Sequence, residues 1–162
     1  MRFLLDSSAI IAMARAGRLD LLRRVVKKGW ITPAVQEEIL ARDDEATVAI
    51  RPALSSWITT PRGGSISTEY LRLGLHEGEA SLLSIASKDD VLVVDEKQGR
   101  ALAHTLGLTY VGLLGLLLAA ARDGIVTRRE ARDALEALER VGFWISPHLR
   151  MQFVAGIGSD EE

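Results

Sequence analysis

The stretch "VLVVDE" at 91–96 sets four apolar residues in a row and follows them with two acids. A strand with one wet face alternates apolar and polar residues, and this run does not alternate. It must be covered on both faces, as the strands of parallel sheets are. A second short run, "FLL" at 3–5, is broken by Asp6 in the same way. Two buried strands, each ending in a carboxylate, limit the fold and suggest where a site would lie.

The remaining chain supplies the alternation of strand and helix that a parallel sheet needs. "WIT" at 30–32, "WIT" again at 57–59 and "TYVG" at 109–112 predict three further strands. Helices are expected at 7–17, stopping at Gly17, and at 19–29, stopping at Gly29. Thr32-Pro33 is a helix start, with a capping hydroxyl and proline in the first turn, and it opens a helix at 33–42. Another helix reaches about Ala53, and more are expected at 77–88, 96–107 and 113–124. Ala131, Leu135 and Leu138 give 127–142 an apolar stripe. Residues 59–68 read as a loop, and 146–158 as a short helix before a polar end. The expected class is therefore α/β, one domain over 1–149 with a C-terminal tail over 150–162. Its central parallel sheet would bind ligands at the carboxyl ends of strands, where strand order switches.

Composition narrows the function. A length of 162 residues fits one domain, and 48% hydrophobic residues can fill its core. The net charge of −2 gives no overall attraction for nucleic acid, so any basic surface must be local. Cysteine is absent, which excludes disulfides and thiolate metal sites and fits the cytoplasm. The apolar run after Arg2 stops at Asp6, so no secretory signal is expected. "VGLLGLLLAAA" at 111–121 is about half the roughly 20 residues that span a bilayer, and it reads as a buried helix.

Asp6 and Asp95 follow parallel strands, so both belong to one edge of the sheet. On the helix at 33–42, Val35 and Ile39 mark the core side. At about 100° per residue Glu38 flanks that stripe, whereas Glu37 lies opposite it and faces water. Glu79 falls in the first turn of the helix at 77–88. Asp6, Glu38, Glu79 and Asp95 can thus converge, with Glu96 as a fifth. Crowded carboxylates repel one another unless a cation neutralises them, and hard oxygen ligands suit Mg²⁺ or Mn²⁺. Such an ion activates water and stabilises charge in phosphodiester hydrolysis. Each acid also has a structural explanation, because Asp6 and Asp95 can cap helices and Glu79 and Glu96 suit a helix N-terminus.

The set "LLDSSAI", "TPAVQEEI", "HEGEASLLSIA" and "VLVVDEKQGRALA" resembles the PIN-domain family of small ribonucleases that includes VapC-type toxins. "GLTYVGLLGLLLAAARDGIV" and "VGFWISPHL" are similar to an uncharacterised prokaryotic branch of that family, and the resemblance runs through about Leu149. It implies a PIN-like three-layer α/β/α sandwich and metal-dependent cleavage of RNA, leaving a 5′-phosphate and a 3′-hydroxyl. Asp6, Glu38, Glu79 and Asp95 match the family's acidic set. Glu96 stands where relatives often carry Asp, and Glu79 departs from the Asp of many VapC toxins. Ser8 matches a hydroxyl that orients the first acid, which leaves Ser7 as a plain helix-start residue. Arg100 matches a "GR" after the last acids, where it would steady them, touch a phosphate, or simply pair with Glu96. The resemblance further implies a homodimer and, for a toxin of a type II pair, a small antitoxin partner. The competing expectation is a non-catalytic PIN-like module that binds RNA or protein.

Arg15, Arg18, Arg23, Arg24, Lys27 and Lys28 could form a local track for an RNA backbone or an ordinary solvated face. His76, His104 and His148 lack metal-ligand spacing, and no phosphate-cradling GxGxxG occurs.

Overall fold

Strands β1 (Phe3–Leu5), β2 (Gly29–Trp30), β3 (Ile58–Thr59), β4 (Val91–Val93) and β5 (Thr109–Val111) form one sheet in a computed structural model that describes residues 1–159. Every pairing is parallel and the order is β3-β2-β1-β4-β5. Leu4, Leu5, Leu92 and Val93 are fully buried, as their apolar runs require. The chain fills the sheet outward from β1 in one direction and then returns to add β4 on the other side. The reversal of order lies between β1 and β4, where Leu5 is in register with Val93. A crevice at that point is where sheets of this type bind ligands.

Among the described residues, ten helices complete a PIN-like α/β/α sandwich: α1 (Ser7–Arg15), α2 (Leu19–Val26), α3 (Pro33–Leu40), α4 (Glu45–Leu54), α5 (Thr68–Arg72), α6 (Glu77–Ile85), α7 (Lys97–Thr105), α8 (Leu113–Arg122), α9 (Arg128–Arg140) and α10 (Pro147–Ile157). Helix α1 packs on α4, α3 on α6, and α8 on α10. The apolar segment at 111–121 is interior: Leu113, Leu114, Leu116 and Leu117 are buried. No helix among the described residues is long and apolar enough to cross a membrane.

Local chemistry sets most boundaries. Thr32 caps α3 by accepting from the Val35 N–H at 3.2 Å, and Pro33 occupies the first turn. Thr127 and Glu130 form a reciprocal capping box on α9. Two features differ from the sequence reading. Helix α2 stops at Val26 instead of Gly29, because Lys27 takes φ 61 and Gly29 joins the sheet opposite Phe3. Strand β2 covers Gly29–Trp30 instead of 30–32, because Thr32 turns to cap α3. Helix α10 runs through 147–157, within the expected 146–158, and buries Phe153 and Ile157. The last three residues of the C-terminal tail, 160–162, lie outside the described residues.

Candidate functional site

Asp6 sits at the carboxyl end of β1 and is 4% exposed. Its backbone N–H still donates to Val93 O, so the sheet fixes where its side chain starts. Its Oδ1 accepts from the Ser7 N–H at 2.9 Å, which makes Asp6 the N-cap of α1. Its Oδ2 accepts from the Ser8 hydroxyl at 3.1 Å. Each oxygen keeps a further lone pair free, because a carboxylate has about four acceptor positions. Capping and ligation are therefore compatible at this residue.

Glu38 reaches the same edge from α3. Its Oε2 accepts from the Ser7 hydroxyl at 2.7 Å, and its Oε1 accepts from the Gly78 N–H at 3.0 Å. Ser7 does more than begin a helix, since it ties the α1 start to Glu38. Gly78 is a steric requirement: a Cβ built there would stand 2.6 Å from both Glu38 oxygens. Glu37 is exposed, as its place on the helix demands. Helices α3 and α6 are locked together by a buried 2.6 Å hydrogen bond between the Thr32 and Ser81 hydroxyls. That contact holds the two helices carrying Glu38 and Glu79 in a fixed relation.

Glu79 is 3% exposed, and both of its carboxylate oxygens are buried without a hydrogen-bond partner. The His76 backbone amide tempers its proton affinity but lies outside regular hydrogen-bond geometry. Glu79 presses on α7 at Gly99, where a Cβ would be 2.8 Å from its Oε1. Burial, then the charges of Glu96 and Asp6, push the Glu79 carboxyl up to about 7. Burial likewise raises Asp6 to about 6, against the Ser7 and Ser8 hydrogen bonds, with Glu38 and Glu96 adding to the rise.

The last two acids divide differently from the order of preference read from sequence. Asp95 faces the neighbouring strand: the N–H of Leu113, at the start of α8, donates to its Oδ1 at 3.2 Å and its Oδ2 at 3.3 Å. Burial raises its proton affinity, while that N–H and the Arg100 charge oppose the rise. Glu96 is exposed and makes no capping bond at the start of α7, and its charge acts on both Asp6 and Glu79. The acids that repel one another are thus Asp6, Glu38, Glu79 and Glu96, with Asp95 turned toward α8. Arg100 lies 5.7 Å over the Tyr110 ring and acts on Asp95, with no salt bridge to Glu96.

The donor types fit a hard divalent cation. All are carboxylate oxygens, and Glu79 is a buried carboxyl lacking any donor, so its ionised form calls for a counter-charge. Among the described residues, no three His, Asp or Glu side chains are gathered closely enough to hold an ion as arranged. Of the basic residues at 15–28, Arg24 is tied to Glu130 at 2.6 Å and Lys28 lies 4.7 Å over the Trp30 ring. Those two are thus engaged away from the acids.

Sequence reasoning missed the Ser7–Glu38 bond, the Gly78 N–H and the contact of Asp95 with α8. The "GE" at 78–79 was the available signal for the second, since a glycine beside an acid permits close approach. A family model described as a PIN domain matches residues 2–159. Neither curated proteins nor solved structures return a match.

Proposed function

Because the chain belongs to the PIN-domain family, whose members are generally metal-using nucleases, we propose that it is a Mg²⁺- or Mn²⁺-dependent endoribonuclease. The observation that carries this reading is Glu79: a buried carboxylate with neither oxygen partnered, beside a second buried carboxylate at the switch point of the sheet. Evolution of a stable core would not select such a pair, since an unpaired buried charge costs several kcal/mol by the usual order of magnitude.

Asp6, Glu38 and Glu79 would hold the cation, with Asp95 and Glu96 completing the acidic set. A bound divalent ion supplies positive charge against the phosphate and lowers the pKa of water toward neutrality. The protein's own groups do the positioning. Ser7 and Gly78 hold both oxygens of Glu38, and the Ser7 N–H and Ser8 hydroxyl hold those of Asp6. Buried Leu5, Val93 and Val94 wall the acids on the sheet side and keep water from that side. Glu79, with its proton affinity near neutrality, would hold the cation in its ionised form, so binding should become tighter as pH rises through about 7. In the hydrolysis a water would attack phosphorus in line as the P–O3′ bond breaks, its oxygen remaining on the 5′-phosphate and one of its protons passing to the leaving 3′ oxygen.

The test is cleavage of a labelled RNA with Mn²⁺ by the wild type and by Asp6→Asn. The expected result is loss of at least about 100-fold in rate, the scale of removing one well-placed electrostatic group. Equal rates in the two proteins would remove the mechanism.

A further inference from the structure

A cleft of about 390 Å³ opens beside the acids and is lined by Ser7, Ser8, Ile11, Arg15, Phe143 and Trp144, among others. Its size falls in the range of small-ligand sites, roughly 300–1,000 Å³. One wall is a stripe of α1: residues 8, 11, 12 and 15 recur at helical spacing. The stripe begins at the two serines that hold Asp6 and Glu38, which sets the cleft next to the acidic site. It ends, about 12 Å along the helix, at Arg15. Arg15 is exposed and has no hydrogen-bond or ion-pair partner among the described residues. Arg42, on the same cleft, shares its charge with Asp44 at 3.1 Å.

The opposite wall is the link between α9 and α10. Trp144 is 80% exposed there and is packed into no part of the hydrophobic core. The link is not slack. The Phe143 N–H donates to Leu138 O at 3.0 Å and the Gly142 N–H to Glu139 O at 3.1 Å, a Schellman closure of α9. Two residues after Trp144, Ser146 caps α10 by accepting from the Leu149 N–H, with Pro147 in the first turn. Trp144 is thus presented to solvent from a segment fixed at both ends.

An exposed indole and an unpaired guanidinium lining one cleft are the pairing that a nucleotide uses: a flat base and a phosphate. We propose that this cleft binds one unpaired nucleotide of a single-stranded RNA, its base against Trp144 and its phosphate on Arg15. The inference rests on the ribonuclease reading and adds two residue contacts to it. A base in a duplex is stacked and paired already and cannot lie on Trp144, so the cleft selects single strands.

Binding is measured by fluorescence anisotropy with labelled r(A)8, in EDTA and in the Glu79→Gln background, so that neither cleavage nor a cation enters. Trp144→Ala should weaken binding about 5- to 100-fold, and Trp144→Phe should restore it to within about threefold. Arg15→Ala should lower the slope of log affinity against log salt by about 0.7. The r(A)8·r(U)8 duplex should bind more weakly than r(A)8. Failure of the parent to bind r(A)8, unchanged affinity in Trp144→Ala, or equal affinity for the duplex would each overturn the proposal. So would a change from dimer to monomer in Trp144→Ala with RNA affinity intact, which makes the cleft a protein interface. Wild-type cleavage with Mn²⁺, run in parallel, separates the two readings. Cleavage with affinity indifferent to Trp144 sinks the cleft alone; Trp144-dependent binding without cleavage sinks the nuclease alone.

Discussion

Replacing Glu79 by Gln should stabilise the metal-free protein at pH 8 and leave it nearly unchanged at pH 5. Burial and the charges of Glu96 and Asp6 raise this carboxyl from 4.5 to about 7. The folded state therefore binds the proton more tightly than the unfolded chain does. Stability from that proton is complete below about pH 4.5 and is lost as pH rises through about 7. At roughly 1.4 kcal/mol per tenfold change in proton affinity, the loss is on the order of 3 kcal/mol. Relaxation of the surroundings around the charged form reduces this to about 2 kcal/mol. Glutamine carries no charge at either pH, so the variant avoids the loss. For a domain of this size the gain corresponds to a rise in Tm of about 4–8 °C at pH 8. Thermal unfolding in EDTA at the two pH values measures it, and a titration with Mn²⁺ completes the comparison. The cation should raise the wild-type Tm at pH 8 and the Gln variant's much less, because the charge it neutralises is gone. A variant less stable than wild type by the same margin at both pH values would refute the reasoning. Glu79 would then be an ordinary packed side chain rather than a strained anion.

Three other substitutions probe the supports of the site. Gly78→Ala places a methyl group 2.6 Å from the Glu38 oxygens; it should cost about 1–3 kcal/mol in thermal unfolding and abolish RNA cleavage. Ser7→Ala removes the 2.7 Å donor to Glu38; calorimetry should show Mn²⁺ affinity reduced about 10-fold or more, with little change in Tm. Arg2→Ala breaks the bidentate pair with Asp90, whose carboxyl that guanidinium holds well below the usual range. Asp90 is 3% exposed, so the variant should lose about 2 kcal/mol or more at pH 7. Its deficit should shrink as pH falls through about 4, where the unfolded carboxylate also takes up its proton.

The parallel sheet was legible because its chemistry is local. Runs such as "FLL" and "VLVV" are too apolar to face water, and the residues that stop each strand are charged. Strand positions held to within a residue or so for the same reason. The end of α2 did not, because a glycine looks alike as a helix stop and as a strand residue, and only pairing with Phe3 chose the strand for Gly29. Helix α10 was legible from Ser146-Pro147 at its start, while the burial of Phe153 and Ile157 against the rest of the chain is a tertiary fact.

For the site, the sequence alone placed Asp6 and Asp95 at strand ends and chose Glu38 over Glu37, because helix and strand periodicities fix which face a side chain takes. It could not say where each carboxylate would turn, since that depends on the donors of elements distant in sequence. The Leu113 N–H draws Asp95 toward α8, the Ser7 hydroxyl and Gly78 N–H grip Glu38, and Glu79 finds no donor at all. Periodicity is a property of the local chain; the choice among hydrogen-bond partners is made only when separate segments are packed together.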